Sequence, residues 1–353
     1  MDAGMKTLFA AFSVATLTLW PFPTPARAGP DTAAWEPQGA VDFPDVKSGP
    51  YSDYVTTDPE RHRVFTTMQA SHEVVVSDYE TRTVIATIPG FGNPHGVVYR
   101  ADTDRLYVSD GTGKVEIFDG THFTHLKTIA LRAGVDGIVV DPGDKRRIYV
   151  ANGGDDAGDP HAHLTVIDTD RDSVAGDIVF DTPVLEQGVI DHDGGALYLN
   201  LPLKASVAIV DLHSLRVTGQ RKVPSCAKNM SIALARPWGR LFVACRTDSM
   251  HGTIVALDLA NKAQPTVLPA HGWIDSLWLD SGRRRLIASS GDGFVETWRY
   301  APDGTFRKYA DTDTSIMAKT SYFDPVADRL FVSVPHLGFP TDYARVLVFS
   351  PAR

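Results

Sequence analysis

The side chains best suited to chemistry form a scattered set of soft and borderline metal ligands. Beyond residue 28 the chain carries four methionines, Met68, Met230, Met250 and Met317, two of them close to histidines: Met68 with His72, and Met250 with His251. Thioether and imidazole are donors that suit copper, above all Cu(I). A second group is the string Gly153-Gly-Asp-Asp-Ala-Gly-Asp-Pro-His-Ala-His163. Two histidines two residues apart share one side of a strand, so His161 and His163, with Asp155, Asp156 and Asp159, are candidate ligands for zinc or calcium; a hydrophilic loop is the plain alternative. A third pair is Cys226 and Cys245, the two cysteines of the chain. In an exported protein such a pair is normally oxidised, which removes both sulfurs as ligands. Sequence motifs for enzymes are missing: there is no Cys-x-x-Cys-His for haem, no Gly-x-Ser-x-Gly nucleophile elbow and no glycine-rich phosphate loop.

The elements that must position these groups show themselves by repetition. A strand-forming dipeptide led by an aliphatic residue recurs at Val64-Phe65, Leu106-Tyr107, Ile148-Tyr149, Leu197-Tyr198, Leu241-Phe242, Leu286-Ile287 and Leu330-Phe331, at spacings of 42, 42, 49, 44, 45 and 44 residues. Around each dipeptide, short alternating apolar and polar runs are bounded by Gly, Asp and Pro, the pattern of strands and turns. A period of roughly 40 to 50 residues with several strands per unit predicts a β-propeller with one four-stranded blade per repeat. The fold class expected is therefore all-β, a seven-bladed propeller spanning residues 39–353 as one domain. The last repeat stops after its third strand, Val346 to Phe349, and the segment from Gly39 to Phe43 is expected to supply the fourth, leaving no open sheet edge.

The N-terminus reads as an export signal over residues 1–28, with Lys6, an apolar run from Leu8 to Trp20 and small residues at Ala26 and Ala28. That run is too short to span a bilayer, and no cysteine follows to carry a lipid, so a periplasmic or secreted chain without a membrane anchor is expected. Residues 29–38 are expected to be poorly ordered. Formal net charge is -9, and loss of Asp2, Lys6 and Arg27 with the signal makes it more acidic by one. Nucleic acid is thereby disfavoured as a partner, since phosphate binding needs a basic face.

The strings Arg147-Ile-Tyr-Val-Ala-Asn152 and Arg105-Leu-Tyr-Val-Ser109 resemble the core of the YVTN-type propeller repeat of exported bacterial and archaeal proteins. The resemblance extends over nearly the whole mature chain, more loosely in blades 4 and 6. It implies the fold and export, and brings no set of catalytic residues with it.

In antiparallel blades, loops entering the inner strand and loops between the second and third strands share one face. Aligning the inner strands on the dipeptide places Asp53, His95, Asp136, Gln187, Met230, Asp275 and Lys319 at the axial entrance on that face. All four methionines and the histidines named above also fall there. A soft metal site is one reading; flexible methionines filling an irregular channel is the other. Two functions are therefore carried forward. The first is a noncatalytic binding propeller, expected to be a monomer, that presents its axial face to a small ligand, a metal or an exported protein partner. The second is a metal-assisted lactonase, hydrolase or lyase with an axial active site.

Overall fold

Each repeated dipeptide lies in the second strand of a four-stranded antiparallel sheet. The computed structural model describes residues 33–353 except 248, 249, 302, 303, 341 and 353. The expected export signal, 1–28, lies outside the described residues. Blade 1 is made of Ser52–Asp58, Arg63–Met68, Glu73–Asp78 and Thr83–Pro89, hydrogen-bonded in chain order. Blades 2 to 6 repeat this order from inner strands Pro94–Arg100, Ile138–Val140, Gly188–Asp191, Lys228–Ala235 and Ile274–Asp280. Inner strands of successive blades pack on one another, and that of blade 7, Thr320–Asp324, packs on that of blade 1, so the ring closes. Described helical structure amounts to short 3-10 turns such as Gln69–Ser71.

Among the described residues the core is distributed over seven clusters, one between each pair of neighbouring blades. Successive residues of a strand point to opposite faces, so the two residues of each dipeptide serve different clusters. Val64 packs between blades 7 and 1, while Phe65 packs between blades 1 and 2 beside Leu106. Tyr107 then joins Ile148 between blades 2 and 3, and Tyr149 joins Leu197 between blades 3 and 4. The pattern continues round to Phe331, which returns to the cluster that holds Val64. These side chains are withdrawn from solvent except Tyr198, which is partly buried.

Blade 7 contains Thr320–Asp324, Arg329–Val334 and Ala344–Pro351, and its outer strand is Trp35–Phe43, with Val41 opposite Val346. The expected closure is present, but the strand begins earlier than the expected Gly39. Trp35 is the reason: its ring is buried, its Nε1 donates to Thr297 Oγ1 at 3.0 Å, and the Arg285 guanidinium lies 4.9 Å from the ring centroid. Arg285 also donates to the Ala34 carbonyl at 3.0 Å. Residues 35–38, expected to be poorly ordered, are thus strand.

Cys226, in the link from blade 4 to blade 5, is disulfide-bonded to Cys245 in the strand Arg240–Arg246, with Cα atoms 5.2 Å apart. Asn229 stands opposite Cys245 in the ladder, which brings the preceding link within reach of the second sulfur. Both cysteines are buried in the cluster between these blades.

Two outcomes are expected. Phe43→Ala, which empties a fully buried ring from the closing strand, should cost about 3–5 kcal/mol in urea denaturation; a loss within error would show that closure contributes little. Thiol titration of the denatured, unreduced protein should find no free thiol, and reduction should remove about 3 kcal/mol of stability.

Candidate functional site

The residues expected at the axial entrance all sit where the inner strand has stopped pairing regularly. In blades 1, 2, 5 and 6 the ladder slips between Ser52 and Val55, Pro94 and Val97, Asn229 and Ile232, and Ile274 and Ser276. Those irregularities contain Asp53, His95, Met230 and Asp275. In blades 3, 4 and 7 the ring residues Asp136, Gln187 and Lys319 immediately precede or nearly precede the inner strand, which starts at Ile138, Gly188 and Thr320. A bulge re-aims side chains that the pleat would otherwise send into the sheet interfaces. Here the same device recurs in blades 1, 2, 5 and 6 and releases one level of residues from the ladder.

Three of them converge. His95 Nδ1 lies 2.8 Å from Asp53 Oδ2 and 3.6 Å from Asp136 Oδ1, and one ligand atom from each of the three lies within 4.8 Å of the others. The imidazole is held from both sides. Gln69 Nε2 is 3.0 Å from Asp53 Oδ2 and 2.9 Å from His95 Nδ1, while the Asn93 amide is 2.7 Å from His95 Nε2. With Nδ1–H donating to Asp53, the Asn93 amide donates to a neutral Nε2, or in the flipped orientation accepts from an imidazolium.

Electrostatics follow from this crowding. Burial alone would lower the His95 pKa, but the Asp53 hydrogen bond and the charges of Asp136 and Asp53 outweigh it and raise it to about 9. Asp136 is pushed up to about 6, first by withdrawal from bulk solvent, with Asp53 and Asp275 adding and His95 opposing. Its side chain is 45% exposed and lines both cavities beside the trio.

The other arc of the mouth is ion-paired. Arg246 and Lys319 each hydrogen-bond a different oxygen of Asp275. Although burial favours the neutral acid, the charges of Lys319 and Arg246 hold the Asp275 pKa below its usual value. Gln187 Nε2 donates to the Asp275 carbonyl at 2.7 Å, reaching from blade 4 to blade 6, and Ser231 Oγ donates to Gln187 Oε1 at 2.7 Å. Met230 is buried, and its carbonyl accepts from Asn200 Nδ2 at 2.8 Å.

Two residues that the sequence did not single out complete the mouth. Tyr54 crosses from blade 1 to blade 3, where a Cβ built on Gly137 would lie 2.9 Å from its hydroxyl. Burial and the charges of Asp136 and Asp53 raise its pKa well above the usual phenol. Glu186, beside Gln187, is raised well above a normal carboxyl by burial and then by Asp136 and Asp275. Their signal in the sequence was adjacency to ring positions Asp53 and Gln187, but simple alternation assigns neighbours to opposite faces. Cavities of about 360 and 250 Å³ adjoin the trio and share Gly134, Asp136 and Asp156; His95 lines the larger and Glu186 the smaller.

The methionine and histidine candidates are distributed differently. Met68 is 2% exposed and packs among Val41, Val64 and Phe331, a core position. His72 Nδ1 lies 2.7 Å from the Gly92 carbonyl. Met250 is 69% exposed on blade 5, and His251 pairs with His271 across the ladder. Met317 precedes Lys319 in a left-handed turn with φ 64°. Met68 with His72 and Met250 with His251 thus occupy blades 1 and 5, which are not neighbours. His161 precedes the strand Ala162–Asp168, so the alternation expected to align it with His163 has not begun. Accordingly His161 Nδ1 faces Asp159 at 3.4 Å, and the buried His163 faces Asp177 at 2.8 Å.

The His95 pair has a definite pH signature. A folded pKa near 9 against an unfolded value of about 6.5 stabilises fully below pH 6.5, and the contribution is lost as pH rises through 9. The stability difference between wild type and His95→Gln, measured by urea denaturation, should shrink by on the order of 2–3 kcal/mol between pH 6 and pH 9.5. A difference independent of pH would show that Asp53 does not hold an imidazolium.

No family model matches the chain, and no curated protein matches it in sequence. Solved structures do match in shape. Hydrazine synthase of Kuenenia stuttgartiensis superposes with a TM-score of 0.72 at 16% identity, covering 87% of this chain and 97% of that one. A chain of the mitotic checkpoint complex gives 0.72 at 17% identity, covering 99% and 100%. The WD40 repeats of RRP9 give 0.71 at 13% identity, covering 89% and 97%. At these identities the likeness is one of fold, the seven-bladed propeller.

Proposed function

We propose that this chain is an exported, noncatalytic binding propeller of the YVTN type whose axial mouth captures a divalent metal ion between Asp53, His95 and Asp136. The observation that carries this reading is the convergence of three ligand atoms, from three consecutive blades, within 4.8 Å. Two carboxylate oxygens and one imidazole nitrogen, without sulfur, suit Zn2+, Mn2+ or Co2+ better than Cu(I). The supporting groups are those such a site needs: the Gln69 amide steadies Asp53, and the Asn93 amide fixes the imidazole edge opposite the ligand atom. A divalent ion held at Nδ1 would take the place of the proton shared with Asp53 and would supply positive charge beside Asp136, which burial and then the Asp53 and Asp275 carboxylates raise. The disulfide accords with an oxidising compartment.

A second reading, a metal-assisted hydrolase or lyase at the same mouth, is favoured by Glu186. Its carboxyl holds its proton more tightly than usual and lines a cavity that also contains Asp136, as a general acid would. Lactone or ester turnover that needs metal, and is lost in Glu186→Gln with metal uptake intact, would select this reading over the first.

Binding is tested by calorimetric titration of the chelator-treated protein with Zn2+ and Co2+ at pH 7.5. One ion per chain is expected, with affinity reduced at least tenfold, about 1.4 kcal/mol, in Asp136→Asn and in His95→Ala. Equal affinity in wild type and both variants would place any bound ion elsewhere and end the proposal.

A further inference from the structure

The arc opposite the trio has a charge and a geometry that metal capture does not use. One carboxylate, Asp275, is flanked by two cations, so Arg246, Lys319 and Asp275 together carry a net positive charge. The cations are fixed rather than free to wander. Their side chains are only 20% and 11% exposed, Arg246 lies over the Trp273 ring at 5.8 Å, and Lys319 lies 5.5 Å from the Tyr51 ring centroid. Asp275 is in turn pinned through its carbonyl by Gln187, which Ser231 holds. One donor is unspent: Arg246 Nε is buried without a hydrogen-bond partner. A guanidinium N–H left unpaired inside a protein is costly unless a ligand or water takes it.

The two arcs face one mouth. Gln187 joins blade 4 to Asp275 in a single hydrogen bond, and its neighbour Glu186 lines the cavity that contains Asp136. With a divalent ion between two carboxylates, the trio becomes neutral, and the positive arc is left as the dominant field of the mouth. We propose that the metal-loaded mouth takes a small organic carboxylate, its carboxyl group received by Arg246 and Lys319 and a neighbouring hydroxyl oxygen placed on the metal. This rests on metal capture by Asp53, His95 and Asp136 and names the class of ligand that such a site would hold. Arg suits the role because its guanidinium stays charged and its unspent Nε–H can donate to a carboxylate oxygen while Nη2 holds Asp275. Trp273 and Tyr51 lie against the two cations and give the arc aromatic walls for the carbon skeleton.

Co2+ gives the test a visible absorption band that reports on the ligands around the ion. The Co2+-loaded full chain is titrated with lactate and, separately, with lactamide, which has the same hydroxyl but no charge. Lactate should change the band saturably, and lactamide should bind at least tenfold more weakly. Lys319→Gln should weaken lactate at least tenfold while its uptake of Co2+ is undiminished, since it removes a cation and no metal ligand. Lactamide binding as tightly as lactate, or lactate binding equally to Lys319→Gln, would overturn the inference while leaving metal capture standing. A chain that takes up no Co2+ would overturn metal capture itself, a separate outcome. The lactamide comparison uses wild-type protein only, so the test holds even if the variant folds poorly.

Discussion

Everything in this molecule depends on how a blade is fastened to its two neighbours. A four-stranded sheet has two faces, and each must be covered by another blade for the ring to exclude water. The repeated dipeptide meets that requirement in two residues, because adjacent strand positions point to opposite faces. Leu106 covers blade 1 and Tyr107 covers blade 3; Leu330 covers blade 6 and Phe331 covers blade 1. Each interface therefore receives the second residue of one dipeptide and the first of the next. Burying a side chain of this size stabilises by about 1.5–3 kcal/mol, and the contribution recurs at every interface. The ring is complete only when the last interface closes, which is why Trp35–Phe43 is drawn across to Ala344–Pro351 instead of trailing from the fold.

Strands devoted to blade contacts leave no regular position that faces the axis. The mouth is made by departing from regularity. Slips in the inner strands of blades 1, 2, 5 and 6, and late starts in blades 3, 4 and 7, release the residues at one level from the ladder. Charges gathered there are largely out of bulk solvent, so they must answer one another. Asp275 is answered twice, by Lys319 and Arg246. Asp53 and Asp136 share one imidazole, and burial first, then the neighbouring carboxylates, raise the pKa of Asp136 and of the nearby Glu186. The asymmetry of the mouth, acidic on one side and cationic on the other, is the feature that directs its proposed ligands.

The rest of the loop-rich face shows how poorly residue type alone locates a site. Methionine reads as a ligand in isolation, yet Met68 fills the seam between blades 7 and 1, the ordinary use of a flexible apolar side chain. His161 and His163 read as a pair, yet only one lies within the strand. The cysteines fared otherwise because hairpin register is short-range: three residues from the position opposite Cys245 is within reach of a bond.

The sequence by itself determined the fold class, the number of blades, the closing strand and the disulfide. The physical reason is that these follow from local alternation and a fixed repeat length, both written along the chain. Tertiary structure alone decided which axial residues meet. Asp53 and His95 are 42 positions apart, as repeats are, and nothing local says that they touch while Met230 turns inward and buries. Nor could alternation reveal Tyr54 or Glu186, because their orientation depends on irregular inner-strand pairing and on neighbours from other blades. The period placed the repeats; the breaks in the ladder and the balance of buried charge decided which residues of different blades come together.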